Sequence, residues 1–264
     1  MDPNPELTHS YSCSRWSGKD PNEYLRSFPH VENRFYDEKR YPSNAAQIDI
    51  WGEVKEQMLI FIHGGFWQEG TRKVVSPIVV PLVKRGIAVA AIGYDYASSS
   101  NPLSAVVEQV VTAVKYLLNA YPQVRSITLG GHSAGAQLAF KVYSLLRSPR
   151  IQKLALVCGV YELSELPHCE IGTLIGLTPE EAKKNSCDAM ELQGTGVEVL
   201  ILVALKDSPK LIDQNRSMAA ALKDCGITTT YQEFPDLDHF SIIHGLRREE
   251  NDHTKQLLSF IDLM

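Results

Sequence analysis

The sequence predicts an α/β fold, a mostly parallel central sheet flanked by helices. Three observations carry that expectation. Short runs that are apolar on both faces, such as Met58-Leu59-Ile60-Phe61-Ile62 and Val197 to Ala204, suit strands in the middle of a parallel sheet. Between such runs lie segments with helical spacing, clearest over residues 102–121, where Leu103, Val106, Val107, Val110, Val111, Val114 and Leu117 share one stripe. No internal repeat or linker breaks the series across 264 residues, so residues 1–264 read as one doubly wound domain.

The elements follow in order. Residues 1–45 are polar and dotted with Tyr11, Trp16, Tyr24, Phe28 and Phe35, and are expected to lie across the domain as an N-terminal extension. Ile48 to Gly52 alternates like a strand, residues 58–62 form the next, and Ile87 to Ile92 a third. After the helix over 102–121 come a strand at 126–129, a helix at 134–146 and a strand at 154–157. Thr178-Pro179-Glu180-Glu181 opens a short helix, since threonine caps and proline suits a first turn. The strand at 197–204 leads to a helix over 210–224, an edge strand at 228–234 and a closing helix over 251–264.

Composition narrows the function. Lys and Arg number 26 against 31 Asp and Glu, a formal charge of −5, and no basic patch appears of the kind a nucleic-acid binder needs. No apolar run reaches the ~18 residues of a membrane span. The N-terminus lacks the basic and apolar regions of a secretory signal. Five scattered cysteines without C-x-x-C spacing argue for reduced thiols, so a cytoplasmic setting is expected, nuclear presence being compatible with the size. No cofactor motif and no metal-spaced cluster stand out, and the expected partner is a small-molecule substrate.

In a sheet of this kind the chemistry sits beyond the carboxyl ends of the strands. After the strand at 126–129 comes Gly131-His132-Ser133-Ala134-Gly135, a full G-x-S-x-G. Small residues on both sides allow the sharp turn that exposes a serine Oγ at its apex, and Ser133 is the expected nucleophile. His63-Gly64-Gly65 ends the strand at 58–62, and its glycines allow backbone N–H groups to face a developing oxyanion. His63 precedes them and is read as a brace for the loop. Chain order then asks for an acid and a histidine. Lys206-Asp207-Ser208 follows the strand at 197–204, and His239 follows the strand at 228–234. Asp236 and Asp238 compete for the acid but stand beside His239 in sequence, so Asp207 ranks above them. His244 and His253 fall in the terminal helical region, where a solvated state is expected. Cys158 reads as a buried structural thiol. Phe66, Trp67, Tyr94, Tyr161 and Phe240 lie near strand ends and together can wall an aromatic pocket.

These residues resemble the α/β-hydrolase fold of HGG-containing esterases and, more narrowly, the kynurenine formamidase (arylformamidase) family. The resemblance runs through Tyr11 to Trp16, His63-Gly64-Gly65-Phe66-Trp67-Gln68, the G-x-S-x-G and Cys158 to Leu163. It continues through Glu181 to Ser186, Lys206-Asp207-Ser208-Pro209 and Asp236 to Phe240. Phe66 departs from it, because family members often carry tyrosine there. The resemblance implies hydrolysis of N-formyl-L-kynurenine to L-kynurenine and formate in tryptophan catabolism. It implies Ser133, Asp207 and His239 as the triad and backbone N–H groups of Gly64, Gly65 and Ala134 as the oxyanion hole. Phe66, Trp67, Tyr161 and Phe240 would form the substrate pocket, with no metal and no cofactor. The rival readings are a general short-chain aryl carboxylesterase and a non-catalytic homologue. Oligomeric state, a homodimer included, stays open.

Overall fold

Alternate residues of the central strands are committed to opposite faces, as the two-residue period requires. In the computed structural model, which describes residues 3–13 and 32–262, Met58, Ile60 and Ile62 enter one core and Leu59 and Phe61 the other. Val199, Ile201 and Val203 divide from Leu200, Leu202 and Ala204 in the same way.

These residues lie in β3 (Gln57–Ile62) and β7 (Glu198–Ala204) of a single sheet. Its other strands are β1 (Glu32–Phe35), β2 (Gln47–Trp51), β4 (Ala88–Ile92), β5 (Ser126–His132), β6 (Ile151–Val157) and β8 (Thr229–Phe234). The order is β1-β2-β4-β3-β5-β6-β7-β8. From β4 to β8 every pairing is parallel, while β1 and β2 run antiparallel at one edge. Helix α1 (Pro5–Tyr11) lies in the N-terminal segment, and α2 (Ser76–Val83) between β3 and β4. They are followed by α3 (Leu103–Ala120), α4 (Ala134–Leu146), α5 (Pro179–Asn185), α6 (Pro209–Asp224) and α7 (Asp252–Asp262). Residues of α3, α4 and α6 pack on one sheet face, and those of α2 and α7 on the other. This is the α/β-hydrolase fold.

Register brings the strand ends level. Ile62 pairs with Gly131, His132 with Val157, Val157 with Leu202 and Ala204 with Phe234. The turns after β3, β5, β6, β7 and β8 therefore share one edge of the sheet.

Several expectations shift. β5 continues to His132 and β6 begins at Ile151, because pairing with neighbours extends strands past their apolar centres. Helix α2 is not among the elements expected from the sequence, and it holds two prolines, Pro77 and Pro81. Pro77 falls in its first turn, where no N–H is needed, and the helix is held by buried Ile78, Val79 and Leu82. Within residues 1–45, β1 joins the sheet as its edge strand, and α1 packs against α6. Trp16, Tyr24 and Phe28 lie outside the described residues. His253, expected in solvent, is 4% exposed, with its ring against Phe234.

Candidate active site

The chain passes from β5 to α4 with a single residue, Ser133, at the turn. Ser133 takes φ 57° and ψ −122°, a strained conformation of the kind that costs roughly 1–3 kcal/mol, and helix α4 starts at the next residue. The turn is held because the Ser133 N–H donates to the Val157 carbonyl at 2.8 Å. It is also close-packed. A Cβ on Gly135 would collide with the backbone carbonyl of Ile62, and one on Gly64 would stand 2.9 Å from the Ser133 Cβ. The HGG turn thus lies directly against the serine.

His63 braces that turn. Its Nδ1–H donates to the Gly64 carbonyl at 2.8 Å, its ring stacks on Tyr94 at 4.3 Å, and the Tyr94 hydroxyl donates to the His63 carbonyl at 3.0 Å. Burial drives the imidazole pKa down to about 4, so His63 is a neutral structural ring. Gly65, at φ +114°, accepts from the N–H groups of Gln68 and Glu69 and closes the turn. No acceptor among the described residues takes the backbone N–H of Gly65 or Ala134. Below the loop, the Arg72 guanidinium pairs with buried Asp49 of β2 at 2.9 Å and donates to the Asn44 carbonyl.

The turn after β7 meets the turn after β8. The Leu205 N–H donates to the Phe234 carbonyl and the Lys206 N–H to the Leu237 carbonyl, at 3.0 and 2.9 Å. Between them, His239 Nδ1–H donates to Asp207 Oδ2 at 2.6 Å, with both side chains buried. A carboxylate on Nδ1 fixes the tautomer and leaves the Nε2 lone pair free. The Ser208 N–H orients Asp207 through Oδ1 at 2.6 Å. The competing acids have other roles. Asp238 caps the following turn, accepting from Phe240 and Ser241, and Asp236 is exposed and paired with Lys206.

His132, the residue before the nucleophile candidate, joins the two halves. Its Nε2–H donates to the His239 carbonyl at 2.9 Å, and the two rings lie 4.4 Å apart. Burial, with the His239 ring beside it, holds this imidazole well below the usual histidine range. Sequence reasoning passed over His132 as the variable position of the motif. It also passed over Asn215, although a polar residue on the buried stripe of Leu211, Met218 and Leu222 is a legible signal. Asn215 Oδ1 accepts from Gly159 N–H and the Tyr161 hydroxyl, and its Nδ2 donates to the Gly159 carbonyl.

The pocket aromatics divide. Trp67 is fully buried, with its indole N–H donating to Gln137 Oε1 at 3.0 Å and Gln137 in turn donating to the Asn185 carbonyl. It corrects the expectation of a pocket wall, because it presents no surface and instead ties the HGG loop to α4. Tyr161 is buried over the Gly159 turn, and Phe66 packs edge-on against Trp67. Phe240, perpendicular to the His239 ring at 5.4 Å, is the most exposed of the four.

One arrangement was invisible in sequence. Ligand atoms of Cys13, Asp207 and His239 lie within 4.8 Å of one another, all three buried, a grouping that no spacing in the sequence marks. A residue 194 positions away from Asp207 gives no spacing signal.

The family model BD-FAE matches residues 49–152. A kynurenine formamidase of Salmo salar is 32% identical over 211 residues, spanning 76% of this chain and 71% of that protein. One of Danio rerio is 28% identical across 97% of this chain and 96% of its own length, and one of Drosophila melanogaster is 29% identical over 84% and 80%. Among solved structures, an esterase from the archaeon Pyrobaculum calidifontis superimposes with a TM-score of 0.73 at 16% identity, covering 98% of both chains. An esterase of Thermogutta terrifontis with butyrate bound gives 0.68 at 19% identity, over 89% of this chain and 92% of that one.

Proposed function

Because the chain belongs to the kynurenine formamidase family, we propose that it hydrolyses N-formyl-L-kynurenine to L-kynurenine and formate. The observation that carries the chemistry is the buried Asp207–His239 pair, tied through His132 to the strained turn that holds Ser133.

In this reading the Ser133 Oγ attacks the formyl carbon while His239 Nε2 takes the hydroxyl proton. Asp207 holds the Nδ1–H and stabilises the imidazolium that forms. The negative oxygen of the tetrahedral intermediate is received by backbone N–H groups of Gly64, Gly65 and Ala134. An anilide nitrogen is a poor leaving group until protonated. His239 therefore delivers the proton as the C–N bond breaks, and L-kynurenine departs. Water, deprotonated by His239, attacks the formyl-serine, formate leaves, and Ser133 recovers its proton. A formyl group carries no side chain, so the acyl side needs no room. Phe66 and Phe240 are proposed to face the aromatic leaving group.

No described helix is long and apolar enough to cross a membrane. We infer a cytosolic setting, which the absence of disulfides among the five cysteines supports.

The test is steady-state hydrolysis of N-formyl-L-kynurenine beside p-nitrophenyl acetate, for the natural sequence and Ser133→Ala. Formamide turnover well above ester turnover, falling by about three orders of magnitude or more in the variant, is the expected outcome. Ester turnover alone would assign a general aryl esterase, and activity surviving in Ser133→Ala would remove Ser133 from the mechanism.

A further inference from the structure

We propose that Cys13, Asp207 and His239 form a binding site for a soft divalent cation of the zinc class, and that occupancy switches the hydrolase off. The three ligand atoms, one sulfur, one oxygen and one ring nitrogen, lie within 4.8 Å of one another. A tetrahedral ion with bonds of about 2.0–2.3 Å places its ligands roughly 3.3–3.8 Å apart, so the ion takes the place of the Nδ1–H in the 2.6 Å His239–Asp207 contact, that pair parts by under about 1 Å, and the Cys13 sulfur completes the set. The donor set is selective. Thiolate and imidazole favour zinc, cobalt and cadmium, whereas magnesium asks for oxygen ligands in an octahedron. The surroundings are built as well, because the Ser208 N–H orients Asp207 and the His132 N–H holds the His239 backbone.

Charge and protons balance. In the free protein His239 carries its proton on Nδ1, facing Asp207, and Cys13 is a buried thiol. The cation binds the Cys13 sulfur, whose proton leaves to solvent, and binds His239 Nδ1, whose proton moves to Nε2. One dication, one thiolate, one carboxylate and a neutral imidazole sum to zero charge, which a buried site tolerates. One proton is released per cation. Moving the ring proton to Nε2 removes the lone pair that would accept the Ser133 proton, so the bound state cannot start the reaction.

Cobalt(II) alone serves as the spectroscopic probe and zinc(II) as the inhibitor. Added to the full chain, cobalt is expected to give a thiolate-to-metal charge-transfer band saturating near one equivalent. Ester hydrolysis should fall in parallel, and EDTA should reverse both. In Cys13→Ser the band should vanish, and the zinc needed to halve that variant's own metal-free activity should rise at least about tenfold. Equal zinc sensitivity in both proteins, or a thiolate band persisting in Cys13→Ser, would overturn the site. If Cys13→Ser fails to fold, His239→Gln decides through the cobalt spectrum. A weakened band supports the site and an unchanged one refutes it. The cobalt spectrum does not depend on which substrate is turned over, so failure here and failure of the formamidase reading are distinguishable.

Discussion

At the scale of single residues, the Asp207–His239 bond sets what the imidazole can do. A carboxylate accepts from Nδ1–H, whereas an asparagine amide turned to keep its own contacts would present N–H and favour the wrong tautomer. Asp207→Asn is therefore expected to lower kcat by on the order of 10⁴-fold while leaving KM and melting temperature close to those of the natural chain. A variant retaining a tenth or more of kcat would show that Asp207 does not orient the base. Ser133, Asp207 and His239 were legible because each directly follows a strand, and their chain order matches the architecture. The role of Trp67 was not. A tryptophan after HGG looks the same in sequence whether its ring faces a ligand or the core, and only the Gln137 contact separates the two.

At the scale of elements, the junction of β3 with α4 is the most demanding. The Gly135 Cα lies against the Ile62 and His63 carbonyls, so any Cβ there pushes α4 away from the strand that carries the HGG turn. Gly135→Ala is expected to cost more than 2 kcal/mol, by the measure of other overpacked sites, and to abolish turnover. Chemical denaturation and kcat on the same preparation check both effects. The Arg72–Asp49 pair links β2 to the segment that leaves the HGG loop, with the Asp49 side chain 3% exposed. Asp49→Ala would leave a half-buried guanidinium without its carboxylate and is expected to destabilise the fold by about 3 kcal/mol. Its kcat near that of the natural chain at 20 °C below its own melting point would separate this scaffold role from catalysis. The apolar strands and the longest helix were legible from periodicity alone. Helix α2 was not, because a proline's meaning depends on its position within the helix, which the sequence around residues 70–86 does not mark.

At the scale of the whole molecule, buried neutral histidines couple folding to pH. Burial sets the pKa of His63 and of His253 at about 4, and it depresses His132 in the same direction. In the unfolded chain each returns to about 6.5. Between those values the unfolded state binds protons that the folded state does not, so stability falls as pH is lowered from about 6.5 towards 4. The slope approaches about 1.4 kcal/mol per pH unit for each fully buried ring. Melting temperature should hold steady above pH 7 and drop steeply below pH 6. Replacing His253 with phenylalanine, which fills the site without titrating, should make that drop shallower. An unchanged acid profile would mean His253 takes up a proton in the folded state.

Taken alone, the sequence determined the strand series, the turn chemistry after each strand and the order of nucleophile, acid and base. These depend on period, glycine placement and neighbours a few residues away, all local properties of a chain. Tertiary structure alone decided which aromatics become core, that His253 is buried and that Cys13 stands beside the Asp207–His239 pair. Each of those turns on where segments far apart in the chain come to rest. Packing sets that placement by burying apolar area and pairing buried polar groups across the whole fold, and no stretch of sequence carries it by itself.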